Sequence, residues 1–271
     1  MSKSILILGA GESGVGAAKL ALALGDTPYV SESGQGKSHF ISELDSAGVA
    51  YETGGHTPEK WPTFKTVVKS PGIPDASPTV LKLKKHGAEI ISEIEYASRH
   101  ATGKVIAITG ANGKTTTTAM IHRMLIDAGI NATCVGNIGP SWARDLAERK
   151  TDAEVTVVEA SSFQLDGTTS FRPDVAVLLN ITPDHLDRYD YKMENYAAAK
   201  WKITQFQTQK DFLVYNSDDK EIEKLISDKG TNARLASVSS IKSLHTDLID
   251  QEKFHAGLTN KKKRIYNTYT P

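Results

Sequence analysis

The sequence has one cysteine, Cys134, in 271 residues. An internal disulfide is therefore excluded, and the chain fits a reducing compartment. It also has no net charge, because 32 lysines and arginines balance 32 aspartates and glutamates. No general field toward nucleic acid or a membrane surface is implied. Long apolar runs are absent near the amino terminus. The first run, Ile5-Leu6-Ile7-Leu8, stops at Gly9 and is too short for a signal-peptide core or a membrane span. No internal repeat is visible. These absences predict a cytoplasmic globular protein, and the length suits one large or two small domains.

The strongest positive signal is Val105-Ile106-Ala107-Ile108-Thr109-Gly110-Ala111-Asn112-Gly113-Lys114-Thr115-Thr116. Apolar, mostly β-branched residues read as a buried strand. Two glycines frame a tight turn. Lys114 and Thr115 then open a helix with the apolar stripe Ile121, Met124, Leu125 and Ala128, and Gly129 is placed to end it. Backbone N–H groups and the dipole at a helix start favour an anion. Gly110, Asn112, Gly113, Lys114, Thr115 and Thr116 are therefore expected around the phosphates of a nucleotide, which the resemblance described below makes ATP. Lys114 reaches the terminal phosphates, and the Thr115 hydroxyl binds Mg2+. Only Ala111 and Asn112 separate the glycines, fewer than in the common form of this loop. A glycine-rich turn without a ligand is the weaker reading, because the strand before and the amphipathic helix after supply the motif's context.

Earlier in the chain, Ser4–Leu8 reads as a strand, followed by Gly9-Ala10-Gly11-Glu12-Ser13-Gly14, a helix to about Leu24, and a second strand, Tyr29–Glu32. The G-x-G-x-x-G pattern in a βαβ setting suits any pyrophosphate ligand held at a helix start. Glu32 is either a partner for a sugar hydroxyl or an exposed acid at a strand end. Lys65–Lys69 reads as a strand running into the rigid turn Ser70-Pro71-Gly72-Ile73-Pro74, which is either a ligand edge or a plain loop. A helix over 78–86, a strand over 89–91 and a helix over 93–100 follow. Ala101-Thr102-Gly103 then links a first domain, residues 1–100, to a second, residues 101–271.

In the second domain, Ala132–Val135 and Glu154–Val158 read as strands. Cys134 fits a small core residue better than a reactive thiol. Asn137, in a glycine-framed turn, either meets a ligand or caps the next helix. Glu159 ends its strand beside the phosphate loop, where a nucleotide's Mg2+ takes a protein oxygen. The strand Asp174–Asn180 leads to His185, which lies between two aspartates at the same sheet edge and is either a ligand or solvated. On a helix over about 194–207, Tyr196, Ala199, Ile203 and Phe206 form the apolar face, with Lys200 on or beside it and Lys202 pointing away. An inward lysine must snorkel, pair or be chemically altered, for example by CO2 to a carbamate. Phe212–Asn216 reads as a strand and residues 218–227 as a helix. Residues 231–271 show no strong periodicity, and Lys261–Arg264 reads as a solvated end.

Together these motifs resemble the Mur ligases. The resemblance rests on Thr109–Thr115, Gly136-Asn137-Ile138-Gly139, Glu159-Ala160-Ser161-Ser162-Phe163-Gln164-Leu165, Asn180–Tyr189 and Tyr196-Ala197-Ala198-Ala199-Lys200, and it covers roughly residues 4–220. It is closest to the branch that adds D-glutamate to UDP-N-acetylmuramoyl-L-alanine in peptidoglycan synthesis. It implies an α/β chain: a Rossmann-like parallel-sheet domain for UDP followed by a P-loop-type central domain for ATP. By position, Ser13, Glu32, Ser33, Ser70, Pro71 and Gly72 lie along the UDP moiety, and Asn137 and Gln164 near the sugar-linked part. Lys114, His185 and Lys200 are the catalytic residues. Thr115 and Glu159 serve a first Mg2+, and His185 with carbamylated Lys200 a second. The implied reaction is amide formation through an acyl phosphate. The implied ligands are ATP, UDP-N-acetylmuramoyl-L-alanine and D-glutamate, with no nucleic acid or membrane partner and a monomeric state.

One departure is that the family's third, amino-acid-binding domain and its Gly-x-His-Asn motif are not found. The chain is therefore expected to be truncated, and to bind a UDP-sugar more readily than it turns over. The other readings are another member of the superfamily (a ligase adding a different amino acid, or folylpolyglutamate synthase), a non-catalytic UDP-sugar- or nucleotide-binding fragment, and an NAD-dependent oxidoreductase. The oxidoreductase reading leaves Lys114, Glu159, His185 and Lys200 unexplained.

Overall fold

The computed structural model describes residues 2–57, 59 and 64–240. Among them, two parallel sheets follow one another along the chain. The first contains β1 (Ser4–Leu8), β2 (Thr27–Ser31), β3 (Ala50–Glu52), β4 (Thr66–Lys69) and β5 (Glu89–Ser92) in the order β3-β2-β1-β4-β5. Its helices are α1 (Glu12–Ala23), α2 (Ser38–Ser46), α3 (Pro78–Lys85) and α4 (Glu93–Ser98). The second contains β6 (Lys104–Thr109), β7 (Ala132–Gly136), β8 (Val155–Glu159), β9 (Val175–Leu178), β10 (Phe212–Asn216) and β11 (Arg234–Val238) in the order β11-β10-β9-β6-β8-β7. Its helices are α5 (Lys114–Asp127), α6 (Trp142–Glu148), α7 (Ser162–Asp166), α8 (Met193–Trp201) and α9 (Lys220–Lys229).

Central strands of parallel sheets are covered on both faces, so they read as unbroken apolar runs. In β1, Ile5 and Ile7 enter one core cluster, and Leu6 and Leu8 enter another with Val67, Val80 and Leu83. In the second sheet, Ile108, Val155, Val157 and Val177 carry α5 through Ile121 and Leu125.

The two sheets are tied together by α1, α4 and α6. At Gly16 in α1, a Cβ would overlap Ser141 Oγ and come within 2.9 Å of Arg144 N, so only glycine permits this approach. Around the contact, Arg144 donates to Glu12 (2.7 Å) and Glu43 (2.6 Å), and Lys19 donates to Glu43 (2.6 Å) and Glu148 (2.7 Å). From α4, buried Glu93 accepts from the Ala143 amide at 2.5 Å. Burial pushes its carboxyl up to about 7. Buried Glu95 accepts from the amides of Thr169, Ser170 and Phe171 at 3.0, 3.0 and 2.8 Å, and from the Ser170 hydroxyl. Burial opposes its ionisation, but hydrogen bonds from Ser170, Thr169 and Arg99 outweigh it and hold the carboxyl down at about 2.

Several elements differ from the sequence expectations. The helix expected over 194–207 ends at Trp201 and tightens into a 3-10 turn, Lys202–Thr204. There the Thr204 hydroxyl donates to Trp201 O, and Gln207 turns inward to bond Pro173 O and Phe212 O. Beyond residue 231 the chain forms β11, paired in register with β10. It is an edge strand with Leu235 and Val238 exposed, so it lacks the burial pattern that periodicity detects. Met124 is 48% exposed rather than packed, because α5 seats Ile121 and Leu125 and turns Met120 and Met124 outward. The helix α2 and the three-residue β3 were not anticipated. Lys261–Arg264 lies outside the described residues. Among the described residues, no helix is long and apolar enough to cross a membrane.

Candidate active site

The end of β6 delivers the phosphate loop. Parallel pairing places Ile108 beside Glu159 of β8 and Thr109 beside Leu178 of β9, so three strand ends open onto one rim. Gly113 precedes α5 with φ +83°, a left-handed conformation that suits glycine. Thr115 and Thr116 lie exposed in the first turn of α5. The loop is held from the end of β9 by Asn180. Its Oδ1 accepts from the amides of Ala111 (3.0 Å) and Asn112 (2.9 Å), and its Nδ2 donates to Asn112 O (3.0 Å).

Lys114 folds back over its own loop and donates to Gly110 O and Ala111 O, both at 2.9 Å. Lys200, only 2% exposed, reaches the same loop from α8 and donates to Gly110 O at 2.8 Å. It also lies over the Tyr196 ring, 4.5 Å from the centroid. Burial pushes the Lys200 amine down to about 7; the nearby Lys114 ammonium adds to this and Asp184 opposes it. Such an amine is available as a neutral nucleophile near neutral pH. Glu159 is buried at the neighbouring strand end. Its Oε1 accepts from Asn137 Nδ2 at 3.1 Å, and its carbonyl from Asn137 N at 2.8 Å. Asn137 therefore faces Glu159, and Ser141 caps α6 instead.

The remaining expected residues have other partners. Gln164 Oε1 is taken by Ser161 N and Oγ, both at 2.9 Å, in the capping box of α7. The His185 side chain is 60% exposed, 3.6 Å from Asp184 Oδ2, with its ring 5.4 Å from that of Phe163. Among the described residues it makes no hydrogen bond to Glu159, Lys114 or Lys200. Its backbone is left-handed, φ 50°. Cys134 is half-buried, and burial raises its thiol, so it stays protonated.

Among the described residues, no group of three or more His, Cys, Asp or Glu side chains is arranged to hold a metal. Mg2+ keeps several waters and binds through one or two carboxylates together with substrate phosphates. Buried Glu159 and the Thr115 hydroxyl beside a phosphate loop fit that pattern.

At the corresponding edge of the first sheet, Gly11 caps α1, and a Cβ on Gly14 would overlap Gly9 O. Ser13 lies in the first turn of α1. Glu32 Oε2 accepts from Ala10 N and Oε1 from Gly34 N, both at 2.8 Å, with Ser33 Oγ at 3.4 Å. Burial opposes its ionisation, but these amides hold its carboxyl below the usual range. Glu32 thus braces the glycine loop itself. Ser70 Oγ is buried beneath Gly9 with no hydrogen-bond partner among the described residues. Pro71 and Gly72 are contacted from the second sheet by Arg188, which donates to Pro71 O (3.3 Å) and Gly72 O (3.2 Å). Sequence reasoning missed Asn180 and Arg188 as site residues. Both lie in a motif it had singled out, but spacing does not say which way an amide or a guanidinium turns.

The fold is shared with solved structures. A Neisseria meningitides UDP-N-acetylmuramate:L-alanyl-gamma-D-glutamyl-meso-diaminopimelate ligase matches at TM-score 0.62 and 19% identity, over 88% of this chain and 78% of that one. A Thermotoga maritima UDP-N-acetylmuramate-alanine ligase matches at TM-score 0.54 and 20% identity, over 88% and 53%. In sequence, the chain is 49% identical over 240 residues to a UDP-N-acetylmuramoylalanine--D-glutamate ligase of Bacteroides fragilis, covering 89% of this chain and 54% of that protein. It is 49% identical over 248 residues to the protein of the same name from Cytophaga hutchinsonii, covering 91% and 54%. The chain thus spans about half the length of the curated relatives it matches. Residues 3–92 match the Mur ligase MurD-like N-terminal domain, and residues 108–267 match the Mur ligase middle domain. With more than half of its length in the middle-domain match and most of the rest in the N-terminal one, the chain belongs to the Mur ligase family.

Proposed function

We propose that this chain carries the nucleotide-sugar and ATP sites of a ligase that joins D-glutamate to UDP-N-acetylmuramoyl-L-alanine in peptidoglycan synthesis. The likeness to two ligases of that name supports the acceptor and the amino acid, and the phosphate loop supports ATP. The L-alanyl carboxylate attacks the γ-phosphate, ADP leaves, and an acyl phosphate forms. The amine of D-glutamate then adds to the acyl carbon, phosphate departs, and the amine's proton passes to solvent. The reacting carboxylate and triphosphate repel each other. Lys114 and the amides at the start of α5 offset that repulsion by holding the phosphates. Mg2+ supplies further charge neutralisation when bound, with Thr115 and Glu159 as protein ligands for one ion and His185 for another. Asn137 orients the Glu159 carboxylate. The Lys200 amine adds to CO2 and loses a proton, and the resulting carbamate is an anionic ligand on a long arm. Ser13, Glu32, Ser33 and the Ser70–Gly72 turn line the UDP moiety, and Gln164 the sugar-linked part. We place the reaction in the cytoplasm, with the chain as a monomer.

The observation that carries this reading is the Lys200 amine, buried against the carbonyl of a phosphate-loop glycine that Lys114 also holds. Isothermal calorimetry of the 271-residue chain with UDP-N-acetylmuramoyl-L-alanine, Mg·ATP and NAD tests it. The expected result is separate sites for the first two and no binding of NAD. Binding of NAD without the UDP-sugar overturns it.

A further inference from the structure

Three consecutive carbonyls in the turn after β4 are each held by a cation. Buried Lys69, the last residue of β4, donates from Nζ to Ile73 O at 2.7 Å. Arg188 donates from Nη1 to Gly72 O at 3.2 Å and from Nη2 to Pro71 O at 3.3 Å. Lys69 belongs to the first sheet. Arg188 lies on the 3-10 turn Leu186–Tyr189, which hangs from the second. The guanidinium is itself seated, 4.5 Å above the Phe163 ring. That ring stacks on Tyr189 at 5.9 Å and lies 5.4 Å from His185.

This arrangement orients the turn. The described peptides are trans, so a carbonyl aimed at a cation sends the next N–H the opposite way. The Ile73 N–H closes the turn on Ser70 O at 3.1 Å. The Gly72 N–H points away from Arg188, and among the described residues it donates no hydrogen bond. An open amide whose peptide carbonyl is held by a guanidinium, at the carboxyl edge of a parallel strand, is built for an anionic ligand.

We infer that Arg188 is a positioning residue, by which the His185-bearing segment of the second sheet sets the Pro71–Gly72 turn of the first to receive the anionic part of the nucleotide sugar. This rests on the proposed UDP-sugar reading. Arginine suits the task because its planar fork reaches two carbonyls at once, whereas a lysine is a point charge.

The test compares the parent chain with Arg188→Met and Arg188→Lys. Calorimetry with UDP-N-acetylmuramoyl-L-alanine is expected to show about a tenfold loss of affinity in Arg188→Met and a smaller loss in Arg188→Lys, with Mg·ATP affinity unchanged in both. Hydrogen exchange at the Ile73 amide, measured without ligand, is expected to accelerate about tenfold in Arg188→Met. UDP-sugar affinity equal to the parent's, or equal loss of both ligands, overturns the inference. If Arg188→Met does not fold, Arg188→Lys decides, and unchanged affinity there overturns it. A parent chain that binds no UDP-sugar counts against the proposed function instead, and the exchange rate of Ile73 still decides the role of Arg188.

Discussion

Lys114 and Lys200 donate to the same oxygen, the carbonyl of Gly110, at 2.9 and 2.8 Å. Two lysine Nζ atoms from separate helices therefore meet over one peptide of the phosphate loop. An arriving triphosphate offers Lys114 a stronger partner than its own loop. Lys114→Met is expected to weaken Mg·ATP binding by about a hundredfold and to leave UDP-N-acetylmuramoyl-L-alanine binding unchanged. Calorimetry with each ligand in turn checks this.

Asn180 spends three hydrogen bonds on the backbone of residues 111 and 112. Asn180→Ala leaves the Ala111 amide with the Asn180 carbonyl alone and the exposed Asn112 amide to solvent. The expected cost is about 0.5–1.5 kcal/mol in urea unfolding, with weaker Mg·ATP binding. Asn180→Asp keeps the acceptor and loses the donor, so its cost is expected to be smaller.

Gly16 is a point of close approach between α1 and the start of α6. In Gly16→Ala the added methyl meets Ser141 and the Arg144 backbone, and neither can move without disturbing the α6 cap. A loss of about 1–3 kcal/mol is expected, together with an increased radius of gyration in small-angle scattering.

The two acids of α4 give opposite pH signatures. Glu93 holds its proton to about 7 when folded, against 4.5 as its ordinary value. Between these values the unfolded chain binds fewer protons than the folded one, so this group lowers stability as pH rises through that window. Glu93→Gln is therefore expected to melt above the parent at pH 8 and level with it at pH 4. Glu95 titrates at about 2 when folded, against 4.5. Its contribution is present above 4.5 and is lost as pH falls toward 2. Glu95→Gln is expected to melt well below the parent at pH 7, with the gap closing near pH 2. Thermal melts at these pH values read both.

The strand–loop–helix units were legible because a buried parallel strand and a helix start both leave local marks. Val105–Ile108 is an unbroken apolar run, and Lys114 follows two glycines. The inward placement of Lys200 was legible from helical period, although α8 stops sooner than the pattern suggested. Contacts between distant segments were not legible. Glu93 and Glu95 look like surface acids at a helix start, and only the fold shows that they reach the backbones at Ala143 and at Thr169–Phe171. Glu32 reads equally as a sugar-hydroxyl partner or an exposed strand-end acid, and its bonds to Ala10 and Gly34 depend on two loops closing around it. The exposed edge strand β11 carries no burial pattern to detect.

The most direct test of the proposed ligase site is whether the acyl donor and the nucleotide's metal meet. Mn2+ in place of Mg2+, bound with ATP to this chain, speeds the relaxation of nearby protons. The account predicts strong enhancement at the L-alanyl methyl of bound UDP-N-acetylmuramoyl-L-alanine, lost in Lys114→Met. A methyl whose relaxation is unaffected while both ligands are bound would contradict it.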